Sequence, residues 1–319
     1  MVSLGLTPSS MEHVVEQIDL KGQPLDLALT LACGQAFRWR KHKDGVWQGV
    51  VRDRLVELKV DNGTVLWRTY PDGGRALVED YLRLADDVNS IYARLSECDP
   101  CLSGLISKFR GLRLLRQDPT ETLFSFLCST ANTIPRIRRA IEEMARQYGE
   151  IVCEKSGVCY HAFPSLERLA SIDPITLNKH ASLGFRATHI AHAGRQVCEH
   201  GEGWLLKLRY VPYACAREQL LSIRGVGRKI ADCVCLFALD KDEAVPVDTH
   251  IRRVAQRSLL PEVNGKSLTS GIYQRVVEAF RLRYGELAGW AQQFLYYEDL
   301  LQSRTQPYED RTERDQGNA

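Results

Sequence analysis

The chain has 319 residues, of which 44% are hydrophobic and 26% charged, with a formal net charge of +2. That is enough chain for a substantial core and about two domains, and the near-neutral balance neither demands nor excludes a polyanionic partner. No apolar run reaches the roughly 18 residues that a membrane span needs, and the opening MVSLGLTPSSMEHVVEQ lacks the basic stretch and apolar core of a secretory signal.

Up to about residue 75, alternation and turn signals predict about five short antiparallel strands. The candidate runs are LDLALTLA, QAFRWR, VWQGVV, LVELKV and TVLWRTY, with Asp44-Gly45 and Asn62-Gly63 as hairpin turns. Beyond that point the periodicity becomes helical. ALVEDYLRLADD, SIYARLSE, ETLFSFLCSTA, PRIRRAIEEMARQYG and SLERLASI place apolar residues three or four apart. ATHIAHAGRQVCE, YACAREQLLSI, RKIADCVCLFAL, THIRRVAQRS, YQRVVEAFRLRYG and LAGWAQQFLYYEDLLQ continue the pattern. The last stretch, residues 303–319, is polar and charge-mixed and reads as a disordered tail. The expected fold class is α+β. An N-terminal antiparallel β-sheet domain with flanking helices spans 1–110, and two mainly helical subdomains with a helix-hairpin-helix motif span 111–302.

Several of the ten cysteines lie in apolar segments such as LFSFLCST and ADCVCLF, which predicts buried free thiols and a reducing compartment. Cys98 and Cys101 form one CxxC pair with no second pair at zinc spacing, so no structural zinc is expected. The basic clusters KFRGLRLLRQD (108–118), PRIRRA (135–140) and HIRRVAQR (250–257) each read, taken singly, as solvated helix faces. The histidines of HIAHAGRQVCEH read as scattered helix-surface residues rather than a metal site.

The most informative stretch is LSIRGVGRKIADCVCLFALDKDEAVPVDTH, Leu221 to His250. Two helices joined by Gly225, Val226 and Gly227 make a helix-hairpin-helix unit. Its glycines permit positive φ and close approach to the backbone. The hairpin and helix-start N–H groups can then bind a phosphate without reading a base. Lys229 falls in the first turn of the second helix, where the macrodipole disfavours a cation and so favours a neutral, nucleophilic amine. Cys233, four residues on, shares its face. Asp248 takes the N-cap position before THIRRVAQR, and a capping carboxylate tends to stay ionised. Each feature alone has a purely structural explanation. Together, L-x-x-I-x-G-V-G-x-K-x-A-D followed by V-P-V-D is a long compound pattern with few chance matches.

That pattern resembles the helix-hairpin-helix DNA glycosylase superfamily, in which a lysine at the position of Lys229 marks bifunctional glycosylase/lyases. CGQAFRW (33–39), RLLRQDPTETLFSFLCST (113–130), LGFRA (183–187) and AGWAQQFLYYEDL narrow the resemblance to the 8-oxoguanine DNA glycosylases, in the family's order, from about residue 24 to 302. The resemblance implies that Lys229 attacks C1′ of the damaged nucleotide as a Schiff-base nucleophile. Asp248 would stabilise the cationic sugar and assist lysine activation. It implies a base pocket of Gly34, whose carbonyl takes the N7 hydrogen that only the oxidised base carries, together with Gln292 on the Watson–Crick edge and Cys233 and Tyr296 on the two faces. His250, oriented by Asp299, would meet DNA phosphate alongside Gly225, Val226 and Gly227. Arg136 and Arg186 would reach the orphaned cytosine. Three positions depart from well-known members. Tyr296 stands for a phenylalanine, Phe185 for the intercalating tyrosine, and Ala131 for an asparagine beside the orphaned cytosine, with Asn132 the neighbouring donor. The implied partner is double-stranded DNA containing 8-oxoguanine, with no metal, no cofactor and no membrane. The chain would work as a monomer, nuclear in a eukaryote and at the nucleoid in a prokaryote.

Two other readings are open on residues alone. Relatives that act on oxidised pyrimidines or mispaired adenine usually hold an iron–sulfur cluster on four cysteines after the catalytic aspartate, and no cysteine follows Cys235. A non-catalytic DNA-binding module would be marked by loss of Lys229 or Asp248, and both are present.

Overall fold

A computed structural model describes residues 15–305 apart from 202 and 265. Five strands pair antiparallel in the order β1-β5-β4-β3-β2. They are β1 (Glu16–Asp19), β2 (Trp39–Lys41), β3 (Trp47–Val51), β4 (Arg54–Asp61) and β5 (Thr64–Tyr70). Asn62 and Gly63 turn β4 into β5 at φ 45° and 76°, the left-handed pair a tight two-residue hairpin requires. LDLALTLA does not form a strand. Asp26 caps it by accepting the Leu29 N–H, Leu27 and Leu31 bury one turn apart, and the segment is helix α1 (Leu27–Leu31). Local capping thus overrides the alternation, and the fifth strand is β1, set against β5.

Helices follow: α2 (Arg75–Tyr81), α3 (Val88–Cys98), α4 (Pro100–Lys108), α5 (Pro119–Ser129) and α6 (Ile134–Tyr148). A second hairpin, β6 (Ile151–Lys155) and β7 (Val158–His161), interrupts them. Its signal was Ser156-Gly157, both at positive φ, between two short β-prone runs. It leans on the sheet, where Lys155 bonds Glu57 and the Tyr70 hydroxyl and the Tyr160 hydroxyl donates to Gln48. The chain continues through α7 (Leu166–Ser171), α8 (Pro174–Ala181), α9 (Arg186–Glu199), α10 (Trp204–Lys207), α11 (Tyr213–Leu221), α12 (Arg228–Ala238), α13 (Thr249–Ser258), α14 (Ser270–Tyr284) and α15 (Ala288–Thr305). The last helix runs through Thr305, so residues 303–305 are helical rather than tail. The rest of that segment lies outside the described residues. No described helix is long and apolar enough to cross a membrane.

The basic stretch 108–118 is not a solvated helix face. Lys108 ends α4, and residues 112–118 run without regular structure through the seam between sheet and helices, with Leu112 to Leu115 buried. Arg113 is fully buried, and its guanidinium donates to the carbonyls of Pro24, Leu82 and Arg83. Arg116 pairs with Asp80 and Asp240. These cations hold the chain together, and the apolar partners at 112, 114 and 115 were the sign of it.

One core lies under the sheet, around Trp39, Leu58, Trp67 and Tyr81, and a larger one fills the helical body. At the centre of the larger core α5 packs on α12, with the Phe126 and Phe237 rings stacked 5.6 Å apart. The hairpin helices are tied together by Asp232, wholly buried in α12. It accepts from Tyr213 and Arg217 of α11 and from Tyr273 of α14, whose hydroxyl in turn accepts the Val247 N–H. A buried carboxylate with this many donors is expensive to break once formed. Here it fixes α12 relative to the V-P-V-D segment.

Candidate active site

The hairpin sits at the C-terminal end of α11 and is held from behind by α9. The Gln196 side chain accepts the Arg224 N–H and donates to the Ser222 carbonyl. Gly225 lies at φ +90°, and a β-carbon there would come within 2.9 Å of the His189 ring. Two of the residues in the histidine-rich stretch therefore brace the hairpin. Gly227, which caps α12, offers no side chain to the helix-start N–H groups.

Lys229 is partly buried in the first turn of α12 and reaches the far end of α5. Its Nζ donates to Ser129 Oγ at 3.0 Å and lies 4.7 Å from the centre of the Phe126 ring. The sequence showed only the positive start of α12. The fold adds the negative C-terminal end of α5, so two helix ends act on this ammonium in opposite senses. Cys233 is 2% exposed on the same face. Burial pushes its thiol up to about 12, against the pull of Lys229 and with a further push from Asp248 and Asp232. It is therefore a neutral thiol, one turn from Lys229 on α12.

Asp248 caps α13 as the sequence predicts, its Oδ1 accepting the N–H groups of His250 and Ile251, both at 2.9 Å. Two residues on, His250 Nδ1 lies 2.8 Å from Asp299 Oδ2. Arg253 Nη2, a donor only, lies 2.9 Å from the same Nδ1, so this ring nitrogen sits between a carboxylate and a guanidinium. Sequence reasoning missed that Asp299 also binds Arg253 at 2.6 Å and Arg257 at 2.6 Å. Positions 250, 253 and 257 share one face of α13, a spacing visible in HIRRVAQR. Burial disfavours the Asp299 charge, but bonds from His250 and Arg253 and the nearby guanidinium charges outweigh it and hold the carboxyl at about 2. A depressed carboxyl adds stability above its unfolded value and loses it as pH falls through the folded value, here between about pH 4 and pH 2. Asp299→Asn is expected to lower stability at pH 7 by on the order of 1–2 kcal/mol, discounting for the exposed arginines. That difference shrinks toward zero near pH 2, as urea titrations of both proteins would measure.

Helix α15 presents Gln292, Tyr296 and Asp299 toward this region. The Gln292 amide is 3% exposed; its Nε2 donates to the Pro246 carbonyl at 3.2 Å, while Oε1 is buried without a hydrogen-bond partner. The Tyr296 ring stands edge-on to His250, with centroids 5.2 Å apart. It also lies against Gly34, where φ is +89° and a β-carbon would fall 2.9 Å from the Tyr296 hydroxyl. Gly34 is pinned on both sides. Gln293 donates to the Cys33 carbonyl, and the fully buried Gln35 side chain donates to the Thr30 and Arg113 carbonyls and accepts the Leu115 N–H. Gln35 and Gln293 were invisible as site residues, because their work is to position a neighbour.

The remaining sequence candidates gather at the end of α5 and the start of α9. Phe185 is 55% exposed, and the Arg186 guanidinium sits 4.6 Å over its ring. Arg186 also donates to the Thr130 and Ala131 carbonyls, each at 2.6 Å. Arg136 is exposed on the first turn of α6. Asn132 donates to the Cys128 carbonyl and accepts the Thr133 N–H, so its amide is engaged locally. Ala131 holds φ +46°, a conformation an L-alanine adopts at a cost and an asparagine tolerates. Ala131→Asn is expected to raise stability by about 0.5–1 kcal/mol, read from the denaturation midpoint. Among the described residues no group of three or more His, Cys, Asp or Glu is arranged to hold a metal ion.

Comparison with known proteins shows what the whole chain is similar to. Residues 17–123 match the family model described as 8-oxoguanine DNA glycosylase, N-terminal domain, and residues 124–296 match that of the HhH-GPD superfamily base excision DNA repair protein. The N-glycosylase/DNA lyase OGG1 of Arabidopsis thaliana is 37% identical over 298 residues, which cover 89% of this chain and 81% of that protein. The N-glycosylase/DNA lyase of Saccharomyces cerevisiae is 34% identical over 336 residues, covering 91% and 87%. The solved structure of the Clostridium acetobutylicum 8-oxoguanine glycosylase/lyase, in complex with duplex DNA containing cytosine opposite 8-oxoguanine, superposes with a TM-score of 0.81 at 27% identity, covering 92% of this chain and 100% of that one.

Proposed function

The chain belongs to the 8-oxoguanine DNA glycosylase family, and from that premise and the site geometry we infer that it excises 8-oxoguanine from duplex DNA and cleaves the strand at the emptied sugar. The target nucleotide leaves the stack to reach the pocket. The observation that carries the reading is Gln292 Oε1, a buried acceptor with no donor. An unmet acceptor in a closed site favours a ligand that supplies the hydrogen, and the N1–H and N2–H edge of 8-oxoguanine does so. The carbonyl of Gly34, pinned by Gln35 and Gln293, takes the N7 hydrogen, which guanine lacks. Cys233 and Tyr296 cover the two faces of the base, a neutral thiol and an aromatic ring suited to stacking.

The chemistry follows from Lys229 and Asp248. The neutral Lys229 amine attacks C1′, and the C1′–N9 bond breaks with its electron pair leaving on the base, which gains a proton. Positive charge develops on the sugar, and the Asp248 carboxylate stabilises it. The attached nitrogen, now an ammonium, loses a proton. Its recovered lone pair then expels O4′, which takes up a proton as the sugar ring opens and the iminium forms. Loss of a C2′ proton expels the 3′ phosphate, which cuts the strand. Backbone N–H groups of Gly225 to Gly227, with His250 held by Asp299, grip the phosphates. Phe185 fills the vacated step, and Arg136 and Arg186 contact the orphaned base. The enzyme works as a single chain. The buried thiols of Cys33, Cys128, Cys233 and Cys235 support a reducing compartment.

Duplexes carrying 8-oxoguanine opposite each of the four bases, thymine glycol or no lesion test the reading. Release of 8-oxoguanine with strand cleavage is the expected result. Excision of thymine glycol with 8-oxoguanine left in place would contradict it.

A further inference from the structure

We propose that Ser129 is a positioning residue for Lys229, fixing the amine by its hydroxyl oxygen before attack; this rests on the Schiff-base reading above. Ser129 is the last residue of α5 and lies 100 positions away from Lys229 in sequence. Its own hydroxyl hydrogen is committed to the Phe126 carbonyl at 2.6 Å. Only lone pairs of Oγ are then left to face α12, and Lys229 Nζ donates to them at 3.0 Å. The oxygen can accept from the amine but has no hydrogen with which to tie up its lone pair. That is the polarity a nucleophile's anchor needs.

The anchor is held on its other side as well. Arg186 donates to the carbonyls of Thr130 and Ala131, directly after Ser129. The Phe126 ring, one turn earlier, is buried between Phe37 and Phe237 and gives the amine a fixed flat surface at 4.7 Å. A lysine has four rotatable bonds, so without a directed contact its nitrogen samples many positions. Small misplacements of a reacting atom lower rates steeply.

The test compares Ser129→Ala, Ser129→Cys and Ser129→Thr under single turnover on an 8-oxoguanine:cytosine duplex. Rates of base release and of borohydride-trapped adduct are measured alongside duplex Kd and thermal midpoint. Alanine removes the acceptor, cysteine keeps the size with a poor acceptor, and threonine keeps the hydroxyl. Trapping is expected to slow about 10- to 30-fold in the alanine and cysteine variants, because the attacking nitrogen is no longer held in one position. Kd should stay within about twofold, and threonine should restore most of the rate. Wild-type trapping rates in the alanine and cysteine variants would overturn the proposal. So would a threonine variant as slow as alanine, or a Kd that weakens in step with the rate. Failure of the glycosylase reading looks different, because the wild type itself would then form no adduct on this duplex.

Discussion

Lys229→Gln is expected to leave the fold intact and to reduce 8-oxoguanine release by at least about a thousandfold, with strand cleavage lost altogether. Glutamine is close to lysine in reach, and its amide can still donate to Ser129 Oγ and lie over the Phe126 ring. An amide nitrogen has no free lone pair, so no bond to C1′ forms and no iminium follows. Because the site around it is unchanged, duplex affinity should stay near wild type. The check is a single-turnover rate with circular dichroism and Kd on the same preparation. A rate within tenfold of wild type would mean that another group is the nucleophile.

Asp248→Asn is expected to lower the excision rate by about 10²–10³-fold, or ~3–4 kcal/mol, the usual effect of removing one fixed charge from a developing cation. Asparagine is the informative choice because its carbonyl can replace Oδ1 in capping α13. Alanine would remove the cap as well and add about 1 kcal/mol of instability. The asparagine variant therefore separates the two duties of this residue. Its denaturation midpoint should move little while its rate collapses. A fall in stability with rate preserved would make Asp248 a cap and nothing more.

Where local signals agreed with tertiary packing, the sequence was a good guide. The helix-hairpin-helix unit, the cap at Asp248 and the pairing of Gln292 with Tyr296 on one face of α15 are written in short spacings. So are the β4–β5 and β2–β3 turns. What stayed hidden depends on partners far away in sequence. LDLALTLA alternates like a strand, yet a capping aspartate and the one-turn spacing of Leu27 and Leu31 make it a helix. Arg113 and Arg116 look like a basic surface until the seam closes around them. Gln35 and Gln293 are ordinary polar residues until the fold sets them on either side of Gly34. Ser129 carries no motif at all, and only the packing of α5 on α12 brings it to Lys229. The lysine's helix-start environment was half the electrostatics, since the end of a second helix supplies the opposing half.

The most direct test of the account is to trap the wild-type enzyme with borohydride on a duplex holding 8-oxoguanine opposite cytosine, and then to map the modified peptide by mass spectrometry. One reduced sugar adduct, carried on the nitrogen of Lys229, is the expected result. An adduct on another residue, or release of 8-oxoguanine with no adduct at all, would contradict it.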